Sequence, residues 1–144
     1  MKKIINGKRY DTSTAKLCGS DSYSNPRDFH YWHEELYRKN TGEFFLYGEG
    51  GPMSRYAESC GQNGWTGGER IIPLSYESAG KWAEVHIDVD EYERIFGEVA
   101  EDDSKLPIGF HLSASTIERL KRKAAMEDSG LSEIVERVLT EALQ

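Results

Sequence analysis

A regular apolar repeat near the end of the chain constrains the fold more than any other feature of the sequence. From residue 131 onward, apolar residues recur at i, i+3, i+4, i+7, i+8, i+11 and i+12, as on one face of an α-helix. They are Leu131, Ile134, Val135, Val138, Leu139, Ala142 and Leu143. Because such a face is stable only when it packs, the sequence predicts a helix after Gly130 whose partner is another element or another chain.

A second helix is predicted immediately before this one. Ser115-Thr116-Ile117-Glu118 has the Ser-x-x-Glu spacing of a capping box, in which the Ser and Glu side chains each satisfy a free backbone amide. Leu120 and Ala124 continue the apolar stripe of Ile117 at helical spacing. The turns between carry a basic cluster, Arg119, Lys121, Arg122 and Lys123. Asp128-Ser129-Gly130 interrupts the pattern and predicts a short turn between the two helices.

A short strand is predicted before these helices. Ile108, Phe110 and Leu112 alternate with Pro107, Gly109 and His111, which is the period of a strand with one apolar face. Five residues cannot form a sheet alone, and a unit of about forty residues with so few large apolar side chains is near the limit of independent folding. We therefore expect two copies to pair through Ile108, Phe110, Leu112, Leu120, Ile134, Val135, Val138 and Leu139. The alternative is a plain helical hairpin packed against the rest of the chain.

Residues 106–144 resemble the ribbon-helix-helix (Arc/MetJ/CopG-like) family of small DNA-binding proteins. Leu112-Ser113-Ala114-Ser115-Thr116-Ile117-Glu118-Arg119-Leu120 stands where that family passes from its strand into its first helix. The resemblance implies that the strands of two subunits pair antiparallel in the major groove and read bases, and that the first turn of the second helix clamps a phosphate. The resemblance and the basic cluster together give the expected DNA-binding residues. They are Gly109, His111, Arg119, Lys121, Gly130 and Ser132.

The net charge of −7 is concentrated in one block. Residues 75–103 contain two Lys or Arg and ten Asp or Glu, whereas residues 1–74 carry a net charge of +1 and residues 104–144 are neutral overall. Because an acidic block repels nucleic acid, DNA binding is expected only at the C-terminal end of the chain. The block has two interpretations: a solvated helix face, or a mimic of phosphates that occupies the nucleic-acid groove of a protein.

The first 97 residues predict a small α+β domain without repeats. Asn6-Gly7 suits the two positive-φ positions of a type I′ turn, which predicts a hairpin at residues 4–10. A second hairpin is predicted from residues 29–38, through Asn40-Thr41-Gly42, into residues 43–47. A Gly-rich passage around a short helix at residues 54–59 follows. Ile71-Ile72-Pro73-Leu74 then predicts an edge strand, since proline cannot donate to a sheet.

Two helices and a linker complete this part of the prediction. Ser75 is the predicted N-cap of a helix that carries Ala79, Trp82, Ala83 and His86. A further helix or helical turn is predicted at residues 90–96, closed by Gly97. Residues 98–105 are acidic and nearly free of large apolar side chains, and they predict a linker. The predicted organisation is therefore a domain at 1–97, a linker at 98–105 and the ribbon-helix-helix module at 106–144.

The sequence lacks motifs for catalysis or cofactor binding. Gly48-Glu49-Gly50-Gly51-Pro52 has no Gly-Lys-Ser/Thr ending of a phosphate-binding loop, and His33-Glu34 lacks the second His of a zinc-protease motif, because residue 37 is Tyr. We therefore expect no enzyme activity, no metal and no cofactor. Cys18 and Cys60 fit unpaired thiols in a reducing compartment. With no secretory leader and no membrane-spanning apolar run, the sequence predicts a cytoplasmic protein.

Three stretches of residues 1–97 resemble small proteins that are carried on bacterial and phage mobile elements. Some of those small proteins are similar to anti-CRISPR proteins that act on type II RNA-guided nucleases. The three stretches are Lys2-Lys3-Ile4-Ile5-Asn6-Gly7, Gly42-Glu43-Phe44-Phe45-Leu46-Tyr47-Gly48-Glu49-Gly50-Gly51-Pro52 and Trp65-Thr66-Gly67-Gly68-Glu69. Three functions are therefore expected: a homodimeric DNA-binding autorepressor of a mobile element whose N-terminal domain engages a partner or ligand, an inhibitor of such a nuclease, or an antitoxin that binds a toxin. A second copy of the chain and double-stranded DNA are the expected partners of the C-terminal module, although in a nuclease inhibitor that module could serve for dimerisation alone.

Overall fold

The computed structural model describes all residues, 1–144. The chain divides into two compact units, Met1–Val99 and Ala100–Gln144. The first contains eight strands and two helices, and the second contains two helices. The expected α+β class is therefore confirmed at the level of antiparallel sheets followed by helices.

The chain opens with the predicted hairpin. Strand β1 (Lys2–Ile5) pairs antiparallel with β2 (Lys8–Asp11), and Ile5 lies opposite Lys8. Asn6 and Gly7 have φ values of 51° and 77°, the left-handed region that the two central residues of a type I′ turn require. The prediction from Asn-Gly is confirmed because glycine and asparagine enter this region at low cost.

A four-stranded antiparallel sheet is the centre of the first unit. Its strand order is β3 (Lys16–Tyr23), β4 (Trp32–Arg38), β5 (Phe44–Gly50) and β8 (Gly68–Leu74). The predicted hairpin through residues 40–42 is the β4–β5 connection, with Arg38 opposite Phe44. Strand β8 lies at the edge, as Pro73 predicted, and it pairs with β5 only. Strand β3 was not predicted, because its run of polar and small residues has little β propensity.

The predicted helix at residues 54–59 is wrong. Those residues form a turn that leads into β6 (Glu58–Cys60), which pairs with β7 (Gly64–Thr66) in a small separate hairpin. The turn is held by side-chain and backbone hydrogen bonds of Ser54, whose Oγ donates to the Gly51 carbonyl at 2.7 Å and accepts from the Tyr56 amide at 3.1 Å. Serine stabilises turns in this way and competes with helix formation.

Two helices follow β8, both close to their predicted positions. Helix α1 (Tyr76–His86) is capped by Ser75, whose side chain accepts from the Ser78 amide. Helix α2 (Val89–Phe96) is capped by Asp88 and ends at Gly97, which has φ 96°. The two caps that sequence predicted, Ser75 and Gly97, are confirmed, because both roles are decided by local hydrogen bonding and backbone freedom.

The sheet has one apolar cluster on each face. On the first face, Leu36, Phe44 and Leu46 pack against Ala79, Trp82 and Ala83 of α1, and side chains of α2 close this cluster. On the second face, Tyr37, Phe45 and Ile71 pack against Tyr10 and Ile5 of the first hairpin. This second cluster lies at the end of the sheet that contains Tyr37 and Phe45. Beyond this cluster the second face carries the polar side chains of His33, Glu35, Glu49 and Glu69.

The second unit is a helical hairpin preceded by an extended segment. Helix α3 spans Ala114–Glu127 and helix α4 spans Leu131–Ala142. Residues 108–112, predicted as a strand, form no strand in the single chain, and the segment from 104 to 113 has no regular structure. A strand needs hydrogen bonds to a neighbour, and no neighbouring strand lies beside this segment.

Candidate nucleic-acid interface

The N-cap of helix α3 lies two residues before the predicted one. Ser113, not Ser115, is the N-cap, and its Oγ accepts from the Thr116 amide at 3.3 Å. The Ser113 carbonyl also accepts from the Ile117 amide at 3.1 Å. Both serines suit a cap, but the earlier start adds two residues to the helix and includes Ala114, a strong helix former. The predicted cap at Ser115 is therefore wrong by two residues.

The turn between α3 and α4 is where the sequence placed it. Asp128 is the C-cap of α3 in the left-handed conformation, with φ 51° and ψ 43°. The Ser129 amide donates to the Ala124 carbonyl at 3.0 Å, which satisfies a carbonyl at the helix end. Gly130 is the N-cap of α4 and offers no side-chain hydrogen bond to the first turn. The amides at the start of α4 therefore have no side-chain cap from their own N-cap residue.

Few side chains of the second unit are buried. Ile134 is 1% exposed and Ala124 is 8% exposed, and they are the two buried residues of this unit. Of the eight residues expected at a dimer interface, Leu120 and Val135 are half-buried and five are exposed: Ile108, Phe110, Leu112, Val138 and Leu139. Ile134 is thus already used within the hairpin, whereas the other seven leave apolar surface open to solvent.

The six expected DNA-binding residues lie in three stretches of this unit. Gly109 and His111 belong to the extended segment, Arg119 and Lys121 are exposed on α3, and Gly130 and Ser132 begin α4. No hydrogen bond or ion pair joins any two of these residues in the single chain.

The basic residues of α3 differ in how they are neutralised. Arg122 pairs with Glu118 at 2.9 Å, one turn away on the same exposed surface. Arg119, Lys121 and Lys123 have no carboxylate within 4 Å. These three charges are therefore available to a negatively charged ligand, since no internal ion pair must be broken first.

An ion pair joins the two helices near their turn. Arg137 of α4 donates to Glu127 of α3 through a close charged hydrogen bond. That hydrogen bond lowers the pKa of the Glu127 carboxyl from its usual value, and the same contact raises the pKa of Arg137. Both side chains keep a large exposed fraction, so the pair orients the helices more than it stabilises them.

The first unit contains a buried carboxylate that sequence reasoning missed. Glu34 of β4 is 3% exposed. It accepts from Tyr56 Oη at 3.0 Å and from Trp82 Nε1 at 2.6 Å, and Arg55 Nε lies 3.5 Å away. Gly48 makes room for this arrangement, because a Cβ there would lie 2.0 Å from the Tyr56 ring. Burial and the Glu34 charge together raise the pKa of Tyr56, so its hydroxyl stays a donor.

The alternation of residues along β4 could have predicted that Glu34 is buried. Glu34 lies on the same face of β4 as Trp32 and Leu36, which is the face that α1 covers. The two-residue period of a strand therefore places a carboxylate in the core. A buried charge needs hydrogen-bonding partners. These partners, Tyr56 and Trp82, lie 22 and 48 residues away in sequence, and only the tertiary structure identifies them.

The side chains present do not form a metal centre, because no group of three or more His, Cys, Asp or Glu is arranged to hold an ion. Cys18 is half-buried, Cys60 is exposed, and both are free thiols. None of the helices is both long and apolar enough to cross a bilayer. Comparison with models of protein families, with curated proteins and with solved structures found no match to this chain. The geometry of its two units is therefore the basis for assigning a function.

Proposed function

We propose that the protein is a homodimeric DNA-binding regulator of a bacterial or phage mobile element, with a C-terminal ribbon-helix-helix module and an N-terminal domain that engages a partner. One observation carries this proposal. Ile108, Phe110 and Leu112 alternate on an extended segment directly before two helices, and all three are exposed in the single chain. In a ribbon-helix-helix protein this segment becomes a strand only when two chains pair, so a single chain would leave it unpaired and apolar.

The exposed apolar surface of the helices supports the same pairing. Leu131, Val138 and Leu139 are 39–46% exposed on a helix whose buried position is Ile134 alone. Burying a large aliphatic side chain contributes about 1.5–3 kcal/mol, so two copies that cover these residues gain far more than the hairpin does alone. A second copy of the same chain satisfies both the segment and the helices at once.

The charges of α3 support DNA as the ligand of the dimer. Arg119, Lys121 and Lys123 are exposed without internal ion pairs, although the whole chain carries a net charge of −7. Pro107 and Gly109 have no side-chain hydrogen bond to offer a base, so His111 is the base-reading candidate of the segment. Most of the affinity is therefore expected from phosphate contacts, with a strong dependence on salt.

A gel-shift titration with the DNA upstream of the protein's own reading frame tests this function. We expect binding by the full chain that weakens steeply as salt rises. Arg119→Ala/Lys121→Ala should lower the salt slope by about one unit for each phosphate that the variant no longer neutralises. Lys2→Ala/Lys3→Ala is the matched control, because it removes the same charge from an exposed strand of the first unit. Absence of a shift at low salt, or equal weakening by both double variants, would contradict the proposal.

A second candidate function is inhibition of an RNA-guided nuclease by the first unit. It is favoured by the exposed carboxylates of α1, α2 and their flanks, which include Glu77, Glu84, Asp88 and Asp90, because such a surface can imitate nucleic-acid phosphates. A cleavage assay with the full chain and with residues 1–99 tests it. Inhibition by both would assign this function to the first unit, whereas unchanged cleavage would exclude it for the nuclease used.

A further inference from the structure

A cleft of about 550 Å³ lies where β3 ends and β4 begins. It is lined by Tyr23, His30, Trp32, Met53, Ser54 and Arg55. No Asp or Glu belongs to this lining, although the whole chain carries a net charge of −7. The cleft thus combines aromatic surface with a positive charge, and its volume falls in the range of small-molecule sites.

Two aromatic residues of the cleft are neighbours on the sheet. Tyr23 lies directly opposite Trp32 in the β3–β4 register, so both side chains belong to the same face. The Trp32 ring packs edge-on against His86 with 5.7 Å between ring centres, and His86 Nδ1 lies 2.8 Å from Asp21. Tyr23, in contrast, is 54% exposed. One ring is therefore held in place by neighbouring side chains, while the other leaves surface free for a flat ligand.

Arg55 supplies the positive charge of the cleft, and its position is fixed from the core side. Its guanidinium carbon lies 5.0 Å from the centre of the Tyr56 ring, and its Nε lies 3.5 Å from Oε1 of the buried Glu34. The Arg55 side chain is nevertheless 55% exposed. A guanidinium has five N–H groups, so an arginine that faces Glu34 through Nε keeps donors for a ligand in the cleft.

A second arginine adds positive charge next to Arg55. Arg70 Nη2 donates to the Arg55 carbonyl at 2.9 Å, and the Arg70 guanidinium lies 5.3 Å from the same Tyr56 ring centre. Glu34 is the only carboxylate within 4 Å of either arginine. Two guanidinium charges around one ring are thus in direct contact with a single carboxylate. An anion bound at Arg55 is therefore attracted by a charge that Glu34 does not balance.

We propose that this cleft binds a nucleoside phosphate, whose base stacks on Tyr23 and Trp32 and whose phosphate accepts hydrogen bonds from Arg55 and His30. Nucleobases stack on aromatic side chains whatever their sequence, because every base has a π face. The planar fork of an arginine matches two phosphate oxygens and is the strongest kind of charged hydrogen bond to them. The cleft has both groups and no carboxylate that would repel the phosphate.

The charge of the rest of the chain favours a single nucleotide over a nucleic-acid strand. Residues 75–103 hold ten Asp or Glu against two Lys or Arg, and such a block repels a polyanion more strongly than it repels one phosphate group. The site lies wholly in the first unit and does not rest on the proposed DNA-binding function. Loss of DNA binding would leave it intact, and its own failure would leave the DNA-binding proposal untouched.

The test is a titration of the ¹⁵N-labelled full chain with the four ribonucleoside 5′-monophosphates, added one at a time. The readout is the indole N–H resonances of the three tryptophans, assigned with a Trp65→Phe and a Trp32→Phe variant. We expect at least one nucleotide to shift the Trp32 resonance until it saturates, because the base stacks on that ring. The Trp65 resonance should stay in place, since Trp65 is 64% exposed on β7 and does not line the cleft.

Two variants of the cleft have matched controls. Arg55→Gln should weaken the affinity by about tenfold, whereas Arg94→Gln, which removes an exposed arginine of α2, should change it by less than about twofold. Tyr23→Ala should weaken the affinity by about fivefold or more, whereas Trp65→Ala should leave it unchanged. Glutamine can still donate to Glu34. If Arg55→Gln loses its circular dichroism spectrum, Tyr23→Ala decides, because an exposed ring is removed without a cavity.

Four outcomes would overturn the proposal. The first is the absence of a saturable Trp32 shift with all four nucleotides. The second is equal affinity for the unphosphorylated nucleoside or for inorganic phosphate, which would mean that stacking or anion binding acts alone. The third is equal weakening by a cleft variant and its control. The fourth is tighter binding of a single-stranded oligonucleotide than of any mononucleotide, which would assign the cleft to a nucleic-acid strand.

Discussion

The two units of this protein bury their apolar residues to very different extents. In the first unit, Leu36, Phe45, Leu46 and Tyr56 are at most 2% exposed, and clusters lie on both faces of one sheet. In the second unit burial is limited to Ala124 and Ile134, while Phe110 is 54% exposed and Leu143 is 81% exposed. The first unit therefore has a core of its own, whereas the second leaves most of its large apolar side chains exposed.

The difference explains why the two units are expected to respond differently to concentration. A unit with a complete core unfolds in a reaction that does not depend on protein concentration. A unit that completes its core with a second copy gains stability by mass action, so its apparent stability rises with concentration. Four variants, taken from the largest expected effect to the smallest, test this contrast.

Trp82→Ala should have the largest effect. Trp82 is 8% exposed, packs in the α1 cluster and donates to Glu34. Its removal leaves a cavity and one fewer donor for a buried carboxylate, so we expect a loss of about 3–5 kcal/mol in the unfolding free energy of the first unit. Urea denaturation followed by tryptophan fluorescence measures it. Trp65→Ala, at a position 64% exposed, is the control, and equal losses would mean that the core is misplaced.

Phe110→Ala should weaken the dimer. If Phe110 becomes buried between two copies, its truncation costs about 1.5–3 kcal/mol for each chain. Analytical ultracentrifugation should show the monomer–dimer transition at a higher concentration. Phe29→Ala, which removes the same side chain from an exposed position of the first unit, should leave that transition in place. If the unaltered chain stays monomeric at all concentrations, the expected dimer is contradicted, because the second unit then folds without a second copy.

Tyr56→Phe isolates one hydrogen bond of the buried network. The ring stays in place beside Gly48, but Glu34 loses the donor at 3.0 Å. A buried acceptor left with one fewer partner costs about 1–3 kcal/mol. Thermal and urea unfolding of the first unit should both record this loss. Tyr23→Phe is the control, since Tyr23 is 54% exposed and makes no side-chain hydrogen bond, and a loss as large there would contradict the account of the network.

The smallest effect is expected from Asp11 at low pH. Hydrogen bonds from the side chain and amide of Ser13, with a smaller contribution from Arg9, lower the pKa of Asp11 to about 2. An unfolded Asp has a pKa of about 3.9. The carboxylate therefore stabilises the folded unit above about pH 4, and this contribution is lost as pH falls toward 2. Melting temperatures should show less pH dependence in this range for Asp11→Asn than for Asp103→Asn, and identical profiles would contradict the assignment.

Local patterns predicted the elements whose cause is local. Asn6-Gly7, Ser75, Gly97 and the helical repeat from Leu131 each specify a turn, a cap or a helix through the backbone preferences of a few neighbouring residues. The structure has all four where they were predicted. Where two residues suited one role, as Ser113 and Ser115 do for the cap of α3, local rules were insufficient because both positions satisfy them.

Elements stabilised by distant contacts were harder to predict. Strand β3 has weak β propensity and is held by its pairing with β4. The sequence after Gly51 predicts a short helix, but Ser54 Oγ forms a turn there by bonding the backbone of Gly51 and Tyr56. In the same way, Glu49 and Glu69 are ordinary charged residues of a Gly-rich passage until the β5–β8 register places them opposite each other. Long-range pairing depends on the whole chain, so no short window of sequence contains it.

By itself the sequence determined an α+β chain with an amphipathic C-terminal helical pair, because periodicity and capping act over a few residues. It also predicted that this pair has too few large apolar side chains for a full core. The tertiary structure alone decided that Ile134 packs within the hairpin while its neighbours stay exposed, and that Glu34 finds Tyr56 and Trp82. These outcomes depend on which faces meet in space, and that is set by packing and desolvation over the whole chain.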